Sequence, residues 1–480
     1  MHSPYQPFLR ALLDLAPNLY VVGGAVKDCL LGLPVSDVDI VFPPEAAGIA
    51  SHFAVKTSAT RIVLREDEPD KMIEQIVVRT GEEILTFDFT ALRGSGIESD
   101  LAARDFTLTA MALPLSAFLS GDSSRLVDPF GGCEAIRDRR IAALSEDSFR
   151  RDPLRLLRAF RLAAELGFTI GERTLVQIER DRALLASVSG ERVRDEIFRI
   201  LGANPCHAFI GAMDRVGLLG QVFPEMDAMK GIQQDGYHAL DAWSHTMLCL
   251  KEMEAILENP REEFDDAGDD WRKYLAGGFV RGRSRAALLK LAILLHDAGK
   301  PGRIGRDAEK QIHFYGHAAA GGAIANVVAE RLRLAKAERE YLELLVTNHM
   351  HLVYLTAEAS LTRRSVLHFF RKYGEDYRAL LLLFAADTRA TSGPKMTPER
   401  LRHIRAAVKE MLRLYAEDLR PRMQAPPLLT GRDVIDRFDL EPGPLIGDIL
   451  RKVDEARLEG RLTDREGALE FAAVLLKEKG

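Results

Sequence analysis

Residues 19–42 read LYVVGGAVKDCLLGLPVSDVDIVF and join two apolar runs through a Gly-Gly pair. The apolar run before Gly23 and Gly24 is typical of a buried strand. Glycines at this point allow a tight turn that presents backbone N–H groups to an anion. Asp37 follows thirteen residues after Gly24, and Asp37 and Asp39 lie inside a second strand-like run. The stretch therefore predicts two strands with an anion-binding turn between them.

The carboxylates of the second strand share one face. Residues i and i+2 of a strand point the same way, so Asp37 and Asp39 can bind the same metal ions. Asp88 lies in a third strand-like run, residues 84–90, and is a candidate third ligand. Oxygen ligands of this kind suit Mg²⁺. Two such ions would activate a hydroxyl nucleophile and stabilise a pyrophosphate leaving group, so the pattern predicts a magnesium-dependent catalytic site.

Hydrophobic periodicity changes near residue 147. Before it, five short apolar runs separated by turn residues predict strands: LYVVGG, DVDIVF, TRIVL, EQIVV and EILTFDF. After it, Leu154, Leu157, Phe160 and Ala164 recur at helical spacing. We therefore expect an α+β fold with a small mixed sheet first and helices in the rest. Residues 258–285, which are acidic and contain glycine, are predicted to form an exposed loop.

Composition indicates a globular protein and limits its partners. Of the 480 residues, 47% are hydrophobic and 28% charged, which excludes a disordered chain. The net charge of −6 means that any surface for nucleic acid must be local. The four scattered cysteines contain no C-x-x-C pair, so neither a zinc ribbon nor a disulfide framework is predicted. We expect a cytoplasmic protein, because neither a signal peptide nor a membrane-length apolar run is evident.

Six motifs follow one another between about residues 18 and 235. They are GGAVKDCLLG (23–32), SDVDIVF (36–42), ESDLAARDFTLTAMAL (98–113), LVDPFGG (126–132), RRDPLRLLRAFRLAAELGF (150–168) and SGERVRDEIFRIL (189–201). In this order they resemble the bacterial class II tRNA nucleotidyltransferases and the related poly(A) polymerases. The resemblance implies an enzyme that adds CMP and AMP, from CTP and ATP, to the 3′ end of tRNA without a template.

The resemblance also implies roles for individual residues. Gly23 and Gly24 would hold the triphosphate, and Asp37 and Asp39 would hold Mg²⁺. The further nucleotide-binding residues that it implies are Lys27, Arg104, Asp105, Asp152, Arg155 and Arg158. Among these, Arg104 and Asp105 would contact the sugar and phosphates. Asp152 and Arg155 would read the base, with Arg158 beside them.

The chain departs from the family pattern at four positions. Lys27 stands where the family usually has Arg, and Asp88 stands where many members have Glu; both changes keep the charge. Thr109 replaces the usual Asn, and Arg151 replaces the Glu before Asp152. These two changes leave details of ribose recognition and base switching open, but not the reaction class.

Asp152 and Arg155 offer a physical basis for choosing C and A. Three residues apart, they are predicted to share one helix face. A carboxylate only accepts hydrogen bonds and a guanidinium only donates them. Cytosine and adenine present an amino donor beside a ring-nitrogen acceptor, whereas guanine and uracil present the reverse. A good paired contact is worth roughly 1–3 kcal/mol, so the pair predicts use of CTP and ATP. The alternative is a solvated surface ion pair.

A second set of ligand-type residues lies in the helical part of the chain. They are His245, His296, Asp297, His317, His349 and Asp387. The order H…HD…D resembles the HD superfamily of metal-dependent phosphohydrolases, and the two further histidines could extend the site to two metals. His and Asp together suit Mn²⁺ or Ni²⁺, and Mg²⁺ would also be accommodated. The resemblance implies phosphatase or phosphodiesterase action on 2′- or 2′,3′-cyclic phosphate ends. The alternative is an HD fold whose helices merely pack.

The two resemblances divide the chain into four parts. We predict a nucleotidyltransferase head at residues 1–140 and a helical neck with base recognition at 141–230. An HD phosphohydrolase-like domain at 231–420 and a C-terminal helical segment at 421–480 follow. The sequence does not indicate the oligomeric state.

Three alternative functions remain. A partial tRNA enzyme would add only CC or only A, and residues 65–71 (REDEPDK) could belong to a loop that helps the switch from C to A. A poly(A) polymerase is disfavoured, because VKTSATRIVLRED lacks its basic, aromatic signature and an intact HD site is unexpected there. A phosphohydrolase whose front half only binds RNA is disfavoured by the intact Asp37 and Asp39.

Overall fold

Six strands form one sheet among the residues that the structure describes in the first part of the chain. The structure is a computed structural model and describes residues 4–35, 37–64, 72–81, 83–264, 269–280, 282–357 and 361–477. The strands are β1 (Tyr20–Val22), β2 (Asp37–Phe42), β3 (Thr60–Leu64), β4 (Ile73–Thr80), β5 (Glu83–Ala91) and β6 (Ala112–Pro114). The five runs predicted to be strands form β1 to β5, which confirms those predictions.

The sheet is mixed, as the sequence predicted. Its strand order is β3-β4-β5-β2-β1-β6. Strands β2 and β5 run parallel, and the other neighbouring strands run antiparallel. The register sets Asp39 of β2 opposite Asp88 of β5 on one side and opposite Val22 of β1 on the other. The end of β1 therefore lies beside the aspartates.

Helices surround the sheet and continue beyond it. In chain order they are α1 (Gln6–Leu15), α2 (Gly24–Leu31), α3 (Ile49–Thr57), α4 (Ile97–Leu101), α5 (Leu115–Ser120), α6 (Gly132–Arg137), α7 (Ser148–Arg151), α8 (Arg155–Leu166), α9 (Glu172–Asp181), α10 (Gly190–Gly202), α11 (His207–Arg215) and α12 (Leu219–Val222). A pair of two-residue strands, β7 (Arg140–Ile141) and β8 (Thr169–Ile170), lies among them.

Side chains along β2 and β5 point alternately to the two faces of the sheet, and the apolar ones make one face buried. Val38, Ile40, Phe87 and Phe89 are buried and belong to one core with residues of α1 and α3. Because successive side chains of a strand point to opposite faces, the aspartates of β2 and β5 lie on the other face. Burial of the apolar set therefore fixes the register that groups the carboxylates.

The second half of the chain is helical, as expected from the periodicity. Its helices are α13 (Pro224–Asp227), α14 (Ala242–Glu258), α15 (Pro260–Phe264), α16 (Asp269–Ala276), α17 (Arg285–Leu295), α18 (His317–Arg331), α19 (Lys336–Asn348), α20 (His351–Leu355), α21 (Arg363–Tyr373), α22 (Tyr377–Ala390), α23 (Pro398–Leu414), α24 (Arg420–Gln424), α25 (Gly431–Phe438), α26 (Pro444–Leu458) and α27 (Arg465–Lys477). The short strands β9 (Gly305–Arg306) and β10 (Ile312–His313) interrupt them. Every residue of α17 from Ala287 to Leu295 is buried, and all of them except Lys290 are apolar, as in a core helix.

The chain divides into two compact units between Pro224 and Glu225. This division falls near the boundary predicted between neck and HD-like domain, while the full four-part division stays a prediction. Helices α25 to α27 share a core that includes Val434, Ile449 and Val453. No helix among the described residues is both long and apolar enough to span a bilayer.

The described residues within 258–285 do not form the exposed loop that the sequence predicted. Helices α15 and α16 lie in this stretch, and the rings of Phe264 and Trp271 stack with centroids 4.8 Å apart. Both rings and Tyr274 are buried. The prediction was wrong because the acidic composition concealed apolar residues at helical spacing.

Candidate functional site

Three aspartates meet on one face of β2 and β5. Asp39 and Asp88 are partners across the parallel pair, and Asp37, two residues before Asp39, shares their face. Gln75 of β4 donates a hydrogen bond from Nε2 to Asp88 Oδ1 at 2.9 Å. Burial raises the pKa of Asp39 to about 6 although Arg104 opposes it, and the carboxylates of Asp88 and Asp37 raise this pKa further. Like charges held this closely favour a cation, so the donor set fits Mg²⁺.

Gly23 and Gly24 form the turn between β1 and α2. Gly23 has a φ of 69°. A Cβ atom at this position would lie 2.7 Å from Arg104 Nη1 and 2.8 Å from Asp39 Oδ2, so only glycine fits here. Helix α2 begins at Gly24, and the first N–H groups of a helix have no acceptor within it. The turn therefore offers an anion-binding site beside the aspartates.

The two predicted cations of this site have different surroundings. Lys27 is buried and pairs with its neighbour Asp28. Arg104 Nη2 lies 3.4 Å from Asp100 Oδ2, and the Arg104 side chain also approaches Gly23. Of the two, Arg104 is the one that the described contacts bring next to the aspartates.

Asp105 is held inside the protein by three donors. The backbone N–H of Phe106 and the hydroxyl of Thr109 donate to Oδ1 at 3.0 and 2.6 Å. Arg158 Nε donates to Oδ2 at 2.8 Å. Burial raises the pKa of Asp105, but Arg158 and Thr109 bring it well below its usual range. Asp105 thus links the segment between α4 and β6 to α8, and Thr109, where the family pattern has Asn, supplies one of the hydrogen bonds.

Asp152 precedes α8 and does not lie on it, so the prediction that Asp152 and Arg155 share a helix face was wrong. Helix α7 ends at Arg151, and Asp152 has extended backbone with φ −148° and ψ 102°. Pro153 explains this, because proline disfavours helical conformation in the residue before it. Arg192 Nη2 donates to Asp152 Oδ2 at 3.0 Å. The position of Arg192 within the motif SGERVRDEIFRIL could have identified it as a site residue from the sequence.

Arg155, the first residue of α8, donates to the backbone of an earlier motif. Its Nη2 lies 2.9 Å from the carbonyl oxygen of Ala103, and its Nη1 lies 3.2 Å from that of Arg104. Nη1 also lies 3.2 Å from Ser148 Oγ. These contacts fix the segment that carries Arg104. Residues 65–71, predicted to take part in base switching, lie outside the described residues.

The structure gathers the predicted ligands of the helical part into two clusters and adds a cysteine. One cluster comprises His245, Cys249, His296 and Asp387, and the other comprises Asp297, His317 and His349. Within each cluster, one ligand atom per residue lies within 4.8 Å of the others. Sequence reasoning missed Cys249, although its position four residues after His245 is the spacing of one helix face.

Three histidines direct Nε2 into these clusters. Nδ1 of His296, His317 and His349 lies 2.7, 2.8 and 2.7 Å from the carbonyl oxygen three residues earlier. Because a carbonyl only accepts, Nδ1 carries a proton in each ring, so the Nε2 atom of the neutral imidazole is the one that would bind a metal ion. The Nε2 atoms of His317 and His349 lie 3.1 Å apart and repel each other unless a cation lies between them. Burial lowers the pKa of His349 to about 3, so a metal ion suits this position better than a proton.

Asp297 contacts both clusters. Its Oδ1 lies 3.6 Å from His317 Nε2 and 3.9 Å from His349 Nε2. Its Oδ2 lies 3.3 Å from His296 Nε2, and Lys300 Nζ donates to Oδ2 at 2.6 Å. Burial raises the pKa of Asp297, but His296 and Lys300 bring it well below the ordinary value. The ionised carboxylate would therefore offer one oxygen to each cluster.

His296 Nε2 supports metal binding independently. This buried atom has no hydrogen-bond partner among the residues that the structure describes. An unsatisfied buried polar atom costs about 1–3 kcal/mol, which coordination would offset. His245 Nε2 lies 2.9 Å from Asp387 Oδ1 on the same cluster. Nitrogen, oxygen and sulfur donors together fit divalent transition ions.

Two family models match the first half of the chain. The model of the poly(A) polymerase head domain matches residues 19–142. The model described as a probable RNA and SrmB-binding site of polymerase A matches residues 167–230. The carboxylates and the glycine turn lie within the first match, and Arg192 lies within the second.

Known proteins are similar over nearly the whole chain. The A-adding tRNA nucleotidyltransferase of Deinococcus radiodurans is 32% identical over 462 residues, 95% of this chain and 95% of that protein. The CC-adding tRNA nucleotidyltransferase of Thermus thermophilus is 32% identical over 463 residues, 95% of this chain and 93% of that protein. The CCA-adding enzyme of Thermotoga maritima, solved in complex with tRNA, shares the fold with a TM-score of 0.61 and 21% identity, over 98% of this chain and 95% of that chain.

Proposed function

Because this chain belongs to the family of tRNA nucleotidyltransferases, we propose that it transfers CMP and AMP from CTP and ATP to the 3′-hydroxyl of tRNA. One observation supports this reaction most directly. Three aspartates share a face of β2 and β5, beside a glycine turn that begins a helix. Carboxylates for Mg²⁺ and a helix start for phosphate are the two parts that nucleotidyl transfer needs. With tRNA as its partner, the protein would act in the cytoplasm.

The residues of the first site would have distinct roles. Asp37, Asp39 and Asp88 would hold Mg²⁺, which when bound stabilises charge on the attacking and leaving oxygens. The backbone at Gly24 and the guanidinium of Arg104 would bind the triphosphate. Lys27, Asp105 and Arg158 were also predicted to bind nucleotide. In this proposal Asp105 and Arg158 act as positioning residues, because their side chains already form an ion pair with each other.

Base selection would depend on Asp152 together with a guanidinium. The carboxylate would accept a hydrogen bond from the amino group of cytosine or adenine, and the guanidinium would donate to the adjacent ring nitrogen. Arg155 is the donor implied by the sequence, and Arg192, 3.0 Å from Asp152, is a second candidate. Either pairing disfavours guanine and uracil.

The test is nucleotide incorporation on a tRNA that lacks its CCA end. We expect CTP and ATP to be used and GTP and UTP to be used poorly. Addition should stop once the end is complete. Comparable rates with all four nucleotides would contradict the base-selection proposal, and long homopolymer tails on unrelated RNA would favour a poly(A) polymerase.

A partial enzyme is the second candidate. Two relatives that match nearly the whole chain are an A-adding and a CC-adding tRNA nucleotidyltransferase. Transcripts that lack one, two or three terminal nucleotides, followed by sequencing of the products, separate the possibilities. A CCA-adding enzyme completes all three transcripts, an A-adding enzyme completes only the first, and a CC-adding enzyme stops before the last residue.

The HD-like site would provide a second, hydrolytic activity. The two clusters around Asp297 would hold Mn²⁺ or Ni²⁺, with Mg²⁺ as an alternative, and such ions when bound lower the pKa of coordinated water. Lys300, 2.6 Å from Asp297 Oδ2, would keep that carboxylate oriented. A 2′-phosphate or 2′,3′-cyclic phosphate at an RNA end is the proposed substrate, since its removal frees the hydroxyl that nucleotide addition requires.

Phosphate release from 2′-phosphorylated and cyclic nucleotides tests this activity. The assay would use the full chain with Mg²⁺, Mn²⁺, Ni²⁺ or Co²⁺, and His296→Ala as the inactive control. Absence of hydrolysis with every one of these metals would mean that the HD-like helices serve only as a scaffold.

A further inference from the structure

Cys249 is part of a converging group of metal-type donors. Its side chain is fully buried, and its Sγ lies 3.3 Å from His245 Nε2 and 4.0 Å from Asp387 Oδ1. His245 Nε2 and Asp387 Oδ1 are themselves 2.9 Å apart. Four donors on one tetrahedral ion, at bond lengths of 2.0–2.3 Å, are separated by about 3.3–3.8 Å. Of the three observed separations, 2.9 Å lies below this range, 3.3 Å lies at its lower end and 4.0 Å lies just above it.

The donors of this group come from rigid elements. His245 and Cys249 lie one helical turn apart on α14, and Asp387 lies on α22. His296 directly follows α17 and contributes the buried Nε2 that has no hydrogen-bond partner within the described part of the chain. The group therefore contains an unsatisfied nitrogen, which is an observation independent of the cysteine.

We propose that Cys249 is a fourth protein ligand of the ion held by His245, His296 and Asp387, and that its sulfur makes this position select Zn²⁺-like ions over Mg²⁺. Sulfur ligands favour zinc and similar soft ions, whereas Mg²⁺ requires oxygen. The other cluster, Asp297 with two histidines, contains no sulfur ligand among the residues that the structure describes. This inference rests on the metal site proposed above but does not depend on hydrolysis.

Cobalt binding to the metal-free full chain tests the proposal. Co²⁺ bound to a thiolate shows a charge-transfer band in the near ultraviolet. We expect the band in the wild type and its loss in Cys249→Ser. Two matched variants should keep it: Cys206→Ser removes a different buried thiol, and His317→Ala removes a ligand of the other cluster. Zinc affinity should fall at least about tenfold in Cys249→Ser, because losing even an outer partner of a metal ligand costs about 10–100-fold; magnesium affinity should be unchanged.

X-ray absorption of the zinc-loaded wild type gives a result that does not depend on how the variants fold. One sulfur neighbour at about 2.3 Å from zinc is expected. If cobalt binds without the band and zinc shows only nitrogen and oxygen neighbours, Cys249 is a packing residue and the proposal is overturned, while the metal site remains. If the wild type binds neither ion, the metal site fails, and both this inference and the proposed hydrolase fail with it.

Discussion

Gly23 lies close to Arg104 and Asp39, in the turn that we propose binds the triphosphate. Its φ is 69°, and a Cβ atom on this residue would lie 2.8 Å from Asp39 Oδ2, which leaves no room for a side chain. We expect Gly23→Ala to displace Asp39 and Arg104 and to lower the rate of CMP addition about a hundredfold, because small displacements of reacting groups have effects of this size. Single-turnover incorporation of labelled CTP would measure it.

Gly32→Ala is the matched control for that substitution. Gly32 also has a φ of 69°, but a Cβ there would meet nothing within 4 Å. Gly32→Ala therefore introduces the same kind of backbone strain as Gly23→Ala, but its Cβ atom collides with no residue of the site. If both variants lose activity equally, strain in α2 rather than the crowded site is responsible.

Asp152 carries the second prediction at the scale of single residues. Asp152→Ala removes the acceptor proposed to face the amino group of the base. We expect discrimination against GTP and UTP to weaken by about tenfold or more, the equivalent of one lost paired contact, with triphosphate binding largely retained. Competition between CTP and UTP on one tRNA measures the change. An unaltered preference would identify the Asp152–Arg192 contact as a surface ion pair.

Some site residues could be predicted from the sequence and others could not. Asp37 and Asp39 could be placed together because strand alternation depends only on local spacing. The surroundings of Asp152 could not, because its partner Arg192 lies forty residues away in sequence. Cys249 was missed because a buried cysteine on an apolar helix ordinarily acts as a small hydrophobic residue.

At the scale of elements, ion pairs join α8 to the segment before β6 and to α10. Arg158 pairs with Asp105 at 2.8 Å, and Arg161 pairs with Glu196 of α10 at 2.6 Å. Removing one partner of a fully buried pair costs about 3–5 kcal/mol, but Arg158 is about one third exposed, so solvent reduces this cost. We expect Asp105→Ala to lower the free energy of unfolding of the first unit by about 1–3 kcal/mol, measurable by urea denaturation.

Asp138→Ala provides the comparison for Asp105→Ala. Asp138 is exposed and lies 3.5 Å from Arg137 and 3.8 Å from Arg140. Exposed pairs contribute at most about 1 kcal/mol. Equal losses of stability in the two variants would show that Asp105 contributes no more than a surface charge.

Elements with a clear hydrophobic period were predictable, and those governed by tertiary contacts were not. β1 to β5 and the helical second half follow their periodicity. Helix α16 was not predicted from the sequence. Its residues Trp271 and Tyr274 contact Phe264 and Tyr341, and local composition does not reveal these contacts. The break between α7 and α8 depends on the single proline at position 153.

For the whole molecule, the decisive feature is that the two candidate sites share no residue. The aspartates of the first site belong to the unit that ends at Pro224, and the histidine clusters belong to the unit that begins at Glu225. Their donor sets also differ, since carboxylates alone favour Mg²⁺ and a set with histidine and sulfur accepts softer ions. Each site should therefore lose its own activity when its own ligand is removed.

The last prediction tests this separation with one ligand from each site. Asp37→Ala should abolish nucleotide addition and spare phosphoesterase activity, whereas His296→Ala should do the reverse, because sites without shared partners behave nearly additively. Labelled CTP incorporation and phosphate release from a 2′-phosphorylated nucleotide would be measured on the same preparations, with folding checked by circular dichroism. Asp138→Ala, far from both ligand sets in sequence, should keep both activities. If folded Asp37→Ala loses both activities together, the activity of one unit depends on the other, and the assignment of one reaction to each unit is wrong.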